Sequence, residues 1–243
     1  MAERLRLDKA VAHNFSLTRL EASKYIKAGY VQVNGMCVDE PAAKILFTDE
    51  LSFSENTVNA ANAFKKRVFM LNKPQGYICA DKDRDYPLVV NLLSGEPNLE
   101  NLHCVGRLDL DVTGLMLLTD DGDFNHRVTS PKFKIPKTYE VETLKPLTLK
   151  NIEQFKKGVK HPLEKKRYES ALLEIIADNF CRVIVHEGRY HEVKRLFECI
   201  DNEVVTLKRT AIGHLFLDET LDYGEYKLLD DESLSLIFQK SET

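Results

Sequence analysis

The apolar positions of the first fifty residues follow a helical period and then an alternating one. Between residues 16 and 28 they recur at helical spacing, and Thr18 and Glu21 stand at the spacing of a capping box. From residue 30 onward, apolar and polar positions alternate on both sides of Asn34-Gly35, a dipeptide typical of tight two-residue turns. The pattern predicts a helix that leads into a β-hairpin.

The rest of the chain combines strand and helix patterns without a regular alternation of the two. Four segments are predicted as strands and two as amphipathic helices: residues 67–72, 138–143, 172–176 and 180–186, then residues 149–159 and 193–200. An unbroken apolar run at residues 115–118 indicates a buried strand or the core of a helix. Consecutive strands with helices packed on them favour the α+β class, with a mostly antiparallel mixed sheet and flanking helices.

A change of composition separates the two parts. Residues 54–66 are polar, rich in Asn and Ala, and end in basic residues, which is typical of a linker. The sequence therefore predicts a small α/β domain at residues 1–53, a linker at residues 54–66 and a larger domain at residues 67–243.

Composition and charge exclude some classes of protein but do not by themselves indicate a function. With 243 residues, 43% of them hydrophobic, the chain resembles an ordinary globular protein, and its formal charge is 34 minus 38, or −4. Residues 1–30, however, carry six basic residues against three acidic ones, which suits a phosphate-binding surface or simply a solvated helix face. No apolar run is long enough to span a membrane. Five dispersed cysteines without a C-x-x-C pair disfavour zinc and favour reduced core thiols in the cytoplasm.

Residues 106–122, with the sequence GRLDLDVTGLMLLTDDG, contain the most informative chemistry. Gly106 and Gly114 permit backbone conformations that other residues avoid, so the segment between them can form an unusual loop. Within it, Asp109 stands beside Arg107 and just before the apolar run. A carboxylate fixed on a packed scaffold near a cation is suited to act as a nucleophile or a general base.

Two other interpretations of this segment remain open. The aspartates and glycines are also common turn formers. A metal site is a further alternative, although the spacing of a calcium loop is absent. Its candidate ligands are Asp109, Asp111, Asp120, Asp121 and Asp123.

The segment resembles the signature of the pseudouridine synthases of the small-subunit rRNA type, which isomerise a uridine already built into RNA. Three further stretches occur in the order of that family: FMLNKPQGY at residues 69–77, KTY at 137–139 and EGRYHEVKRLF at 187–197. The resemblance covers roughly residues 67–235. Residues 4–9 and the hairpin around Asn34-Gly35 are similar to the S4 RNA-binding domain, in which a basic helix presents cations to RNA.

The resemblance implies three catalytic residues. Asp109 matches the catalytic aspartate of the family, which acts by nucleophilic attack or through an elimination route. Lys194 matches the basic residue that pairs with this aspartate, and Arg195 is the second choice for that role. Tyr139 matches a tyrosine whose ring would stack on the flipped uracil and whose hydroxyl would assist proton transfer; an ordinary strand aromatic is the alternative. No metal and no organic cofactor are implied.

The partner implied by the resemblance is ribosomal RNA, either 16S rRNA or a small-subunit assembly particle. Arg107 is expected near the gap left by the extruded base, with a surface salt bridge as its alternative role. His191 is expected to have a structural or RNA-contacting role, and Lys73 is expected to touch RNA from a rigid turn. The other predicted RNA contacts are basic residues, namely Arg4, Arg6, Arg19, Lys24, Lys27, Arg189 and Arg195.

Within the family, the compact length and the stretch at residues 69–77 are most similar to enzymes that modify uridine 516 of 16S rRNA. A large-subunit 23S rRNA synthase with an S4 domain is the first alternative. A non-catalytic S4-domain protein of ribosome assembly is the second, although it would have no need of Asp109, Tyr139 and Lys194 together. A metal-dependent hydrolase built on the aspartates is the third. We expect a cytoplasmic monomer.

Overall fold

The computed structural model describes residues 4–15, 17–46, 48–54, 56–59, 66–162 and 165–239. The chain forms two compact units, one made of residues 1–66 and 95–100 and the other of residues 67–94 and 101–243. Each unit has its own sheet and its own core of buried apolar side chains. No helix within the described ranges is long and apolar enough to cross a membrane.

The first unit contains two helices and six short strands in its described part. The helices are α1 (Leu7–Asn14) and α2 (Arg19–Lys27), and the strands are β1 (Arg4–Arg6), β2 (Val31–Val33), β3 (Met36–Cys37), β4 (Lys44–Leu46), β5 (Glu50–Phe53) and β6 (Asn56–Asn59). Strands β1 and β4 form an antiparallel pair, and the other four form an antiparallel sheet in the order β3-β2-β5-β6.

The predicted helix and hairpin of this unit are confirmed. The Thr18 hydroxyl accepts a hydrogen bond from the Glu21 backbone N–H, and the Glu21 carboxylate accepts one from the Thr18 N–H, which completes the capping box. Asn34 and Gly35 adopt φ values of 51° and 77°, as a tight hairpin turn requires. Helix α1 was not predicted, because its sequence has a weak apolar period interrupted by charged residues.

The first part of the region predicted as a linker contains a strand in the structure. Residues Asn56–Asn59 form strand β6, which pairs with β5, so this part of the predicted linker belongs to the sheet of the first unit. Position 55 and residues 60–65 lie outside the described residues.

The second unit is built on one large sheet. Its strands are β7 (Val68–Lys73), β8 (His103–Cys104), β9 (Thr113–Thr119), β10 (Lys137–Thr143), β11 (Leu172–Ala177), β12 (Phe180–Val185), β13 (Val204–Ile212), β14 (Leu215–Phe216) and β15 (Tyr226–Leu228). Its α-helices are α3 (Gly122–Thr129), α4 (Leu149–Lys156), α5 (Glu192–Glu198) and α6 (Asp231–Leu236). In the described part of the chain the strand order is β11-β12-β10-β13-β9-β7-β15, with β14 beside β13 and β8 beside β9.

Strand β9 lies near the centre of this sheet and contains the apolar run at residues 115–118. All four side chains are buried, because β9 has a paired strand on either side and both of its faces are covered. Its pairing with β13 is parallel, whereas the other strand pairs of the sheet in the described residues are antiparallel. The expected mostly antiparallel mixed sheet with flanking helices is confirmed.

Two sequence expectations are wrong in detail. The amphipathic helix predicted at residues 149–159 implies that its apolar side chains share a buried face, but Leu149 is exposed because it occupies the first position of α4, whereas Phe155 is buried. Cys37 is also exposed rather than part of the core, since it lies on the short edge strand β3. Strand β13 and helices α3 and α6 were not predicted, because the sequence signals in these segments are short or mixed with charges.

Gly114 determines how closely β9 approaches β13. It adopts φ +97°, and a Cβ atom placed on it would lie 2.3 Å from the backbone oxygen of Arg209. Gly114 and Arg209 are paired residues in the parallel register of the two strands. A side chain at this position is therefore excluded both by the backbone conformation and by the neighbouring strand.

We predict that Gly114→Ala lowers the free energy of unfolding by about 3 kcal/mol, because it adds backbone strain and forces β9 and β13 apart. Gly122→Ala is the matched control, since a Cβ atom there has no neighbour within 4 Å. Urea unfolding of both variants measures the difference. Equal midpoints for the two variants would contradict the proposed close approach.

Candidate active site

Asp109 lies in the loop of residues 105–112 that joins β8 to β9, and its side chain is 28% exposed. We call residues 105–112 the catalytic loop, after the role that the sequence resemblance implies for Asp109. Its first residue is held by a hydrogen bond from the Val105 N–H to the Leu117 backbone oxygen. Gly106 adopts φ +76°, a conformation that glycine tolerates without strain. The loop therefore starts from the sheet in a fixed direction.

The segment at the end of β7 holds the other half of the catalytic loop. The Lys73 ammonium donates to the backbone oxygens of Asp109 at 3.1 Å and Val112 at 2.8 Å. The intervening carbonyls are held by the same segment, since the Gly76 N–H donates to Leu110 O and the Gln75 side chain donates to Asp111 O. Four consecutive carbonyl groups of the loop are thus fixed by a single neighbouring turn.

Lys73 itself is completely buried, and its ammonium also donates to Pro74 O at 3.1 Å. Burial lowers the pKa of this lysine, while nearby acidic groups raise it by less. The predicted RNA contact by Lys73 is wrong, because a side chain enclosed by loop carbonyls does not reach the surface. Its position indicates that it holds the catalytic loop in place.

Asp109 is flanked by two basic side chains from the start of α5. Lys194 Nζ lies 3.4 Å from Asp109 Oδ2, and His191 Nε2 lies 3.4 Å from Asp109 Oδ1. Lys194 is closer still to Asp111, with Nζ to Oδ1 and Oδ2 distances of 2.7 and 2.9 Å. One ammonium group is thus shared by two carboxylates, and it approaches Asp111 more closely than Asp109.

The charges in this cluster stabilise one another. Burial raises the pKa of Asp111, but the hydrogen bond and the charge of Lys194 outweigh it and hold that pKa below its usual value. Burial likewise lowers the pKa of Lys194, but Asp111 and Asp109 outweigh it and raise that pKa above its usual value. Both groups therefore remain ionised around neutral pH.

The backbone at the start of α5 determines the direction of these side chains. His191 precedes the helix in a left-handed conformation, with φ 51° and ψ 30°. Its ring stacks on that of Tyr190, with centroids 3.7 Å apart and planes 17° apart. The bend and the stack together turn His191 toward Asp109, a role that the sequence analysis did not predict.

Tyr139 lies on β10 and is 8% exposed. Its partner on the neighbouring antiparallel strand β13 is Arg209. Burial raises the pKa of the Tyr139 phenol, and the charge and hydrogen bond of Arg209 offset only part of that rise. The phenol is therefore neutral around neutral pH and is able to donate a hydrogen bond.

Arg209 is a site residue that the sequence analysis did not find. It is buried, and its Nε donates to the Leu115 backbone oxygen at 2.8 Å. The available signal was a basic residue that alternates with Leu207 and Ala211 on one face of the segment, since a guanidinium on a buried face needs partners. That signal was missed because β13 itself was not predicted.

A cavity of about 340 Å³ joins these groups. Asp109, Tyr139, Lys194 and Arg209 all line it, together with apolar side chains from the catalytic loop and β13. Its size lies within the range of small-molecule sites. A flat, neutral heterocycle could pack between the apolar wall and the phenol, with the Asp109 carboxylate at its edge.

Two further ionisable residues line the same cavity, Lys137 and Glu192. Burial, together with the charge of Arg209, lowers the pKa of Lys137 to about 8. Burial raises the pKa of Glu192 to about 7, against hydrogen bonds from the Gly188 and Arg189 N–H groups. The cavity thus contains groups able to exchange protons near neutrality, which the sequence analysis did not identify as site residues.

The remaining predicted RNA contacts occupy different surroundings. Arg107 is exposed and lines the cavity, and among the described residues none forms an ion pair with it. The Arg189 guanidinium lies over the Tyr168 ring at 4.0 Å, and that of Arg195 lies 5.2 Å from the Tyr190 ring centroid. Lys194 rather than Arg195 is therefore the residue that approaches the carboxylates.

The five basic residues predicted in the first unit are exposed: Arg4, Arg6, Arg19, Lys24 and Lys27. Arg6 and Arg19 both pair with the buried carboxylate of Asp8, at 2.8 and 2.9 Å. The hydrogen bond from Arg6 in particular lowers the pKa of Asp8 to about 2. These two guanidinium groups are therefore fixed in place, whereas Lys24 and Lys27 extend from α2.

Two of the aspartates considered as metal ligands form hydrogen bonds with nearby groups of the protein instead. Asp120 accepts hydrogen bonds from the backbone and side chain of Arg67, and Asp121 caps α3 through the N–H groups of Asp123 and Phe124. Within the described ranges, no three His, Cys, Asp or Glu side chains are grouped in a way that would hold a metal ion. The structure thus gives Asp120 and Asp121 local structural roles.

Comparison with known proteins identifies the family. Residues 67–199 match the RNA pseudouridylate synthase family, and residues 5–51 match the S4 domain. The chain is 42% identical, over 96% of its length, to the ribosomal small subunit pseudouridine synthase A of Escherichia coli (strain K12), of which it covers 100%. It is 40% identical, over 95% of its length, to the protein of the same name from Haemophilus influenzae, of which it covers 98%.

A solved structure gives the same result. The crystal structure of a pseudouridylate synthase matches 96% of this chain and 99% of its own, with a TM-score of 0.68 and 40% sequence identity. The sequence resemblance stated above is therefore confirmed, as is its enzymatic interpretation. The chain belongs to the RNA pseudouridylate synthase family and carries an S4 domain at its N-terminal end.

Proposed function

We propose that this pseudouridine synthase isomerises a uridine of small-subunit ribosomal RNA, uridine 516 of 16S rRNA, with Asp109 as the catalytic carboxylate. The observation that carries the proposal is the position of Asp109 at the edge of a partly apolar cavity, with Lys194 at 3.4 Å and Tyr139 on the wall. The target is supported by the identity of 42% to a synthase whose name specifies the ribosomal small subunit. The enzyme would act as a cytoplasmic monomer on the RNA or on an assembly particle.

The reaction requires a nucleotide to leave the RNA stack. Pseudouridine formation breaks the N1–C1′ bond, turns the base and joins C5 to C1′, while the C5 proton is lost and N1 gains one. A stacked base cannot turn, so the uridine is flipped into the cavity at a cost of roughly a few kcal/mol. Arg107, exposed at the mouth of the cavity, would occupy the gap or contact a neighbouring phosphate.

The residues of the cavity would divide the chemistry among them. Asp109 would attack the sugar or the base, or promote elimination, and the Lys194 ammonium, 3.4 Å from its carboxylate, would hold that carboxylate at the edge of the cavity. The neutral phenol of Tyr139 would pack against the uracil ring and donate a hydrogen bond as protons move. Because the reaction is an isomerisation, none of these steps requires a cofactor.

The first unit would supply phosphate contacts. Lys24 and Lys27 extend from the last turn of α2, and the fixed guanidinium groups of Arg6 and Arg19 lie on the same unit. Such contacts give affinity through the release of counterions and carry no base specificity by themselves. Target choice would then come from the second unit and from the shape of the RNA.

We predict that Asp109→Asn lowers kcat at least about 1000-fold, because the amide is neither a nucleophile nor a base. Loss of tritium from RNA labelled at C5 of uridine measures turnover, since that hydrogen leaves in the reaction. RNA affinity should change by less than about threefold, because the substitution preserves shape. Appreciable turnover by the variant would rule out the assignment of Asp109.

We predict that Lys194→Ala lowers kcat about 100-fold or more, whereas Lys27→Ala changes mainly the affinity for RNA. The loss follows from leaving Asp109 and Asp111 side by side without their shared cation. Lys194→Arg should recover part of the activity, because it restores the charge. The opposite order of effects for Lys194 and Lys27 would contradict the ion-pair role.

We predict that Lys24→Gln combined with Lys27→Gln reduces the slope of log affinity against log salt by about 1 to 2, since each lost phosphate contact removes about 0.7 to 0.9. The control is Lys150→Gln combined with Lys156→Gln, two exposed lysines on α4 in the second unit. Filter binding of small-subunit rRNA across a salt series measures both. An unchanged slope for the α2 variant would show that this helix does not contact phosphates.

A further inference from the structure

A second cavity, of about 390 Å³, borders the catalytic loop next to the first one. Both cavities are bordered by the catalytic loop and by the start of α5, because they share Arg107, Leu108, Asp109, Tyr190, His191 and Lys194. Neither Tyr139 nor Arg209 lines it. Its remaining wall comes from residues 78–86, which follow the turn that holds the catalytic loop.

The exposed ring of Tyr86 distinguishes the second cavity. Tyr86 is 48% exposed, and among the described residues no aromatic or cationic side chain stacks on it. Tyr190, on the opposite wall, already stacks on His191 and has the Arg195 guanidinium near its ring. Of these two tyrosines, Tyr86 therefore has the ring available to an incoming flat group.

The backbone around Tyr86 is fixed rather than free. The Tyr86 N–H and that of Asp85 donate to one oxygen of the Asp83 carboxylate, both at 2.8 Å. The next residue, Pro87, accepts a hydrogen bond from the Ile78 N–H at 2.9 Å, which ties the segment to the floor of the cavity. A pre-positioned aromatic ring loses little entropy when it binds a ligand.

The chemistry of the walls indicates one class of occupant. Apolar side chains line much of this cavity, among them Ile78, Leu108 and Leu110, and the exposed Arg107 supplies positive charge at the shared wall. The Asp111 carboxylate is neutralised locally by its close pair with Lys194. An aromatic platform beside cations is how proteins hold an unstacked nucleotide, with the base on the ring and the phosphate near the charge.

We propose that the second cavity binds the nucleotide adjacent to the target uridine, with its base stacked on Tyr86. The inference rests on the proposed function, since it takes the first cavity to hold the flipped uridine. Two cavities that share one wall at Arg107 match two consecutive nucleotides whose connecting backbone passes over that arginine. Tyr86 is then a determinant of substrate binding that contributes to KM and leaves the reacting atoms untouched.

The test measures kcat and KM for Tyr86→Ala, Tyr86→Phe and the control Tyr223→Ala. Tyr223 is a 60% exposed tyrosine of the same unit that lines neither cavity. The substrate is small-subunit rRNA, or a fragment of it, that the wild-type enzyme converts. Loss of a stacked base predicts a KM about 10-fold or more higher for Tyr86→Ala, with kcat unchanged. Tyr86→Phe and Tyr223→Ala should behave as wild type.

A second measurement identifies the stacked base. Substrates carrying an abasic nucleotide on the 5′ side or on the 3′ side of the target are assayed with wild type and with Tyr86→Ala. One of the two abasic positions should raise the wild-type KM by about the same factor as the mutation. Tyr86→Ala should then be insensitive to that abasic position, because the two changes remove the same contact.

The outcomes distinguish a failure of the proposed function from a failure of the adjacent-nucleotide site. If wild type converts no uridine of small-subunit rRNA, the proposed function fails. If wild type is active but both abasic substrates behave normally, or their effects multiply with that of Tyr86→Ala, the adjacent-nucleotide site is wrong. A fall in kcat for Tyr86→Ala at unchanged KM would also overturn it, since that result would place Tyr86 in the catalytic step.

Discussion

The position of Asp109 depends on one buried ammonium group. Lys73 is enclosed in the second unit, and its three donated hydrogen bonds end on backbone oxygens, two of them in the catalytic loop. A buried cation is costly unless its donors are satisfied, so a displacement of the loop would leave this charge without partners. Since Lys73 ends β7 and the loop precedes β9, two paired strands, the carboxylate acquires the rigidity of the sheet.

With the catalytic loop held in this way, the charged side chains lie on one side of the cavity and the neutral phenol on the other. On one side, Asp109 and Asp111 share Lys194, and the ammonium group lies closer to Asp111. Asp109 therefore has a weaker partner and an open face toward the cavity, which suits a group that must react. On the other side, burial keeps Tyr139 neutral beside Arg209. The cavity thus places the Asp109 carboxylate opposite a neutral phenol, as the proposed reaction requires.

The sequence predicted the segments whose signals are local. The capping box of α2, the Asn34-Gly35 turn and the buried run of β9 depend on neighbours within a few positions, and each is confirmed. Arg209 was not found in this way, because β13 was not predicted and because the importance of Arg209 comes from pairing with Tyr139 and Gly114 on two distant strands. Lys73 was assigned to the RNA surface for the same reason. A lysine is usually exposed, and only the folded loop encloses it.

The sequence by itself determined which chemical groups this protein has and their order along the chain, and the motifs around residues 109, 139 and 194 were sufficient to indicate the family. Only the tertiary structure decided which of these groups meet. It directed Lys194 and His191 to Asp109, enclosed Lys73 and formed the second cavity beside Tyr86. The physical reason is that a sequence motif is recognised from the spacing of residues along one element, whereas a site forms where separate elements pack together. The strand order and register that bring these elements together depend on contacts between distant residues.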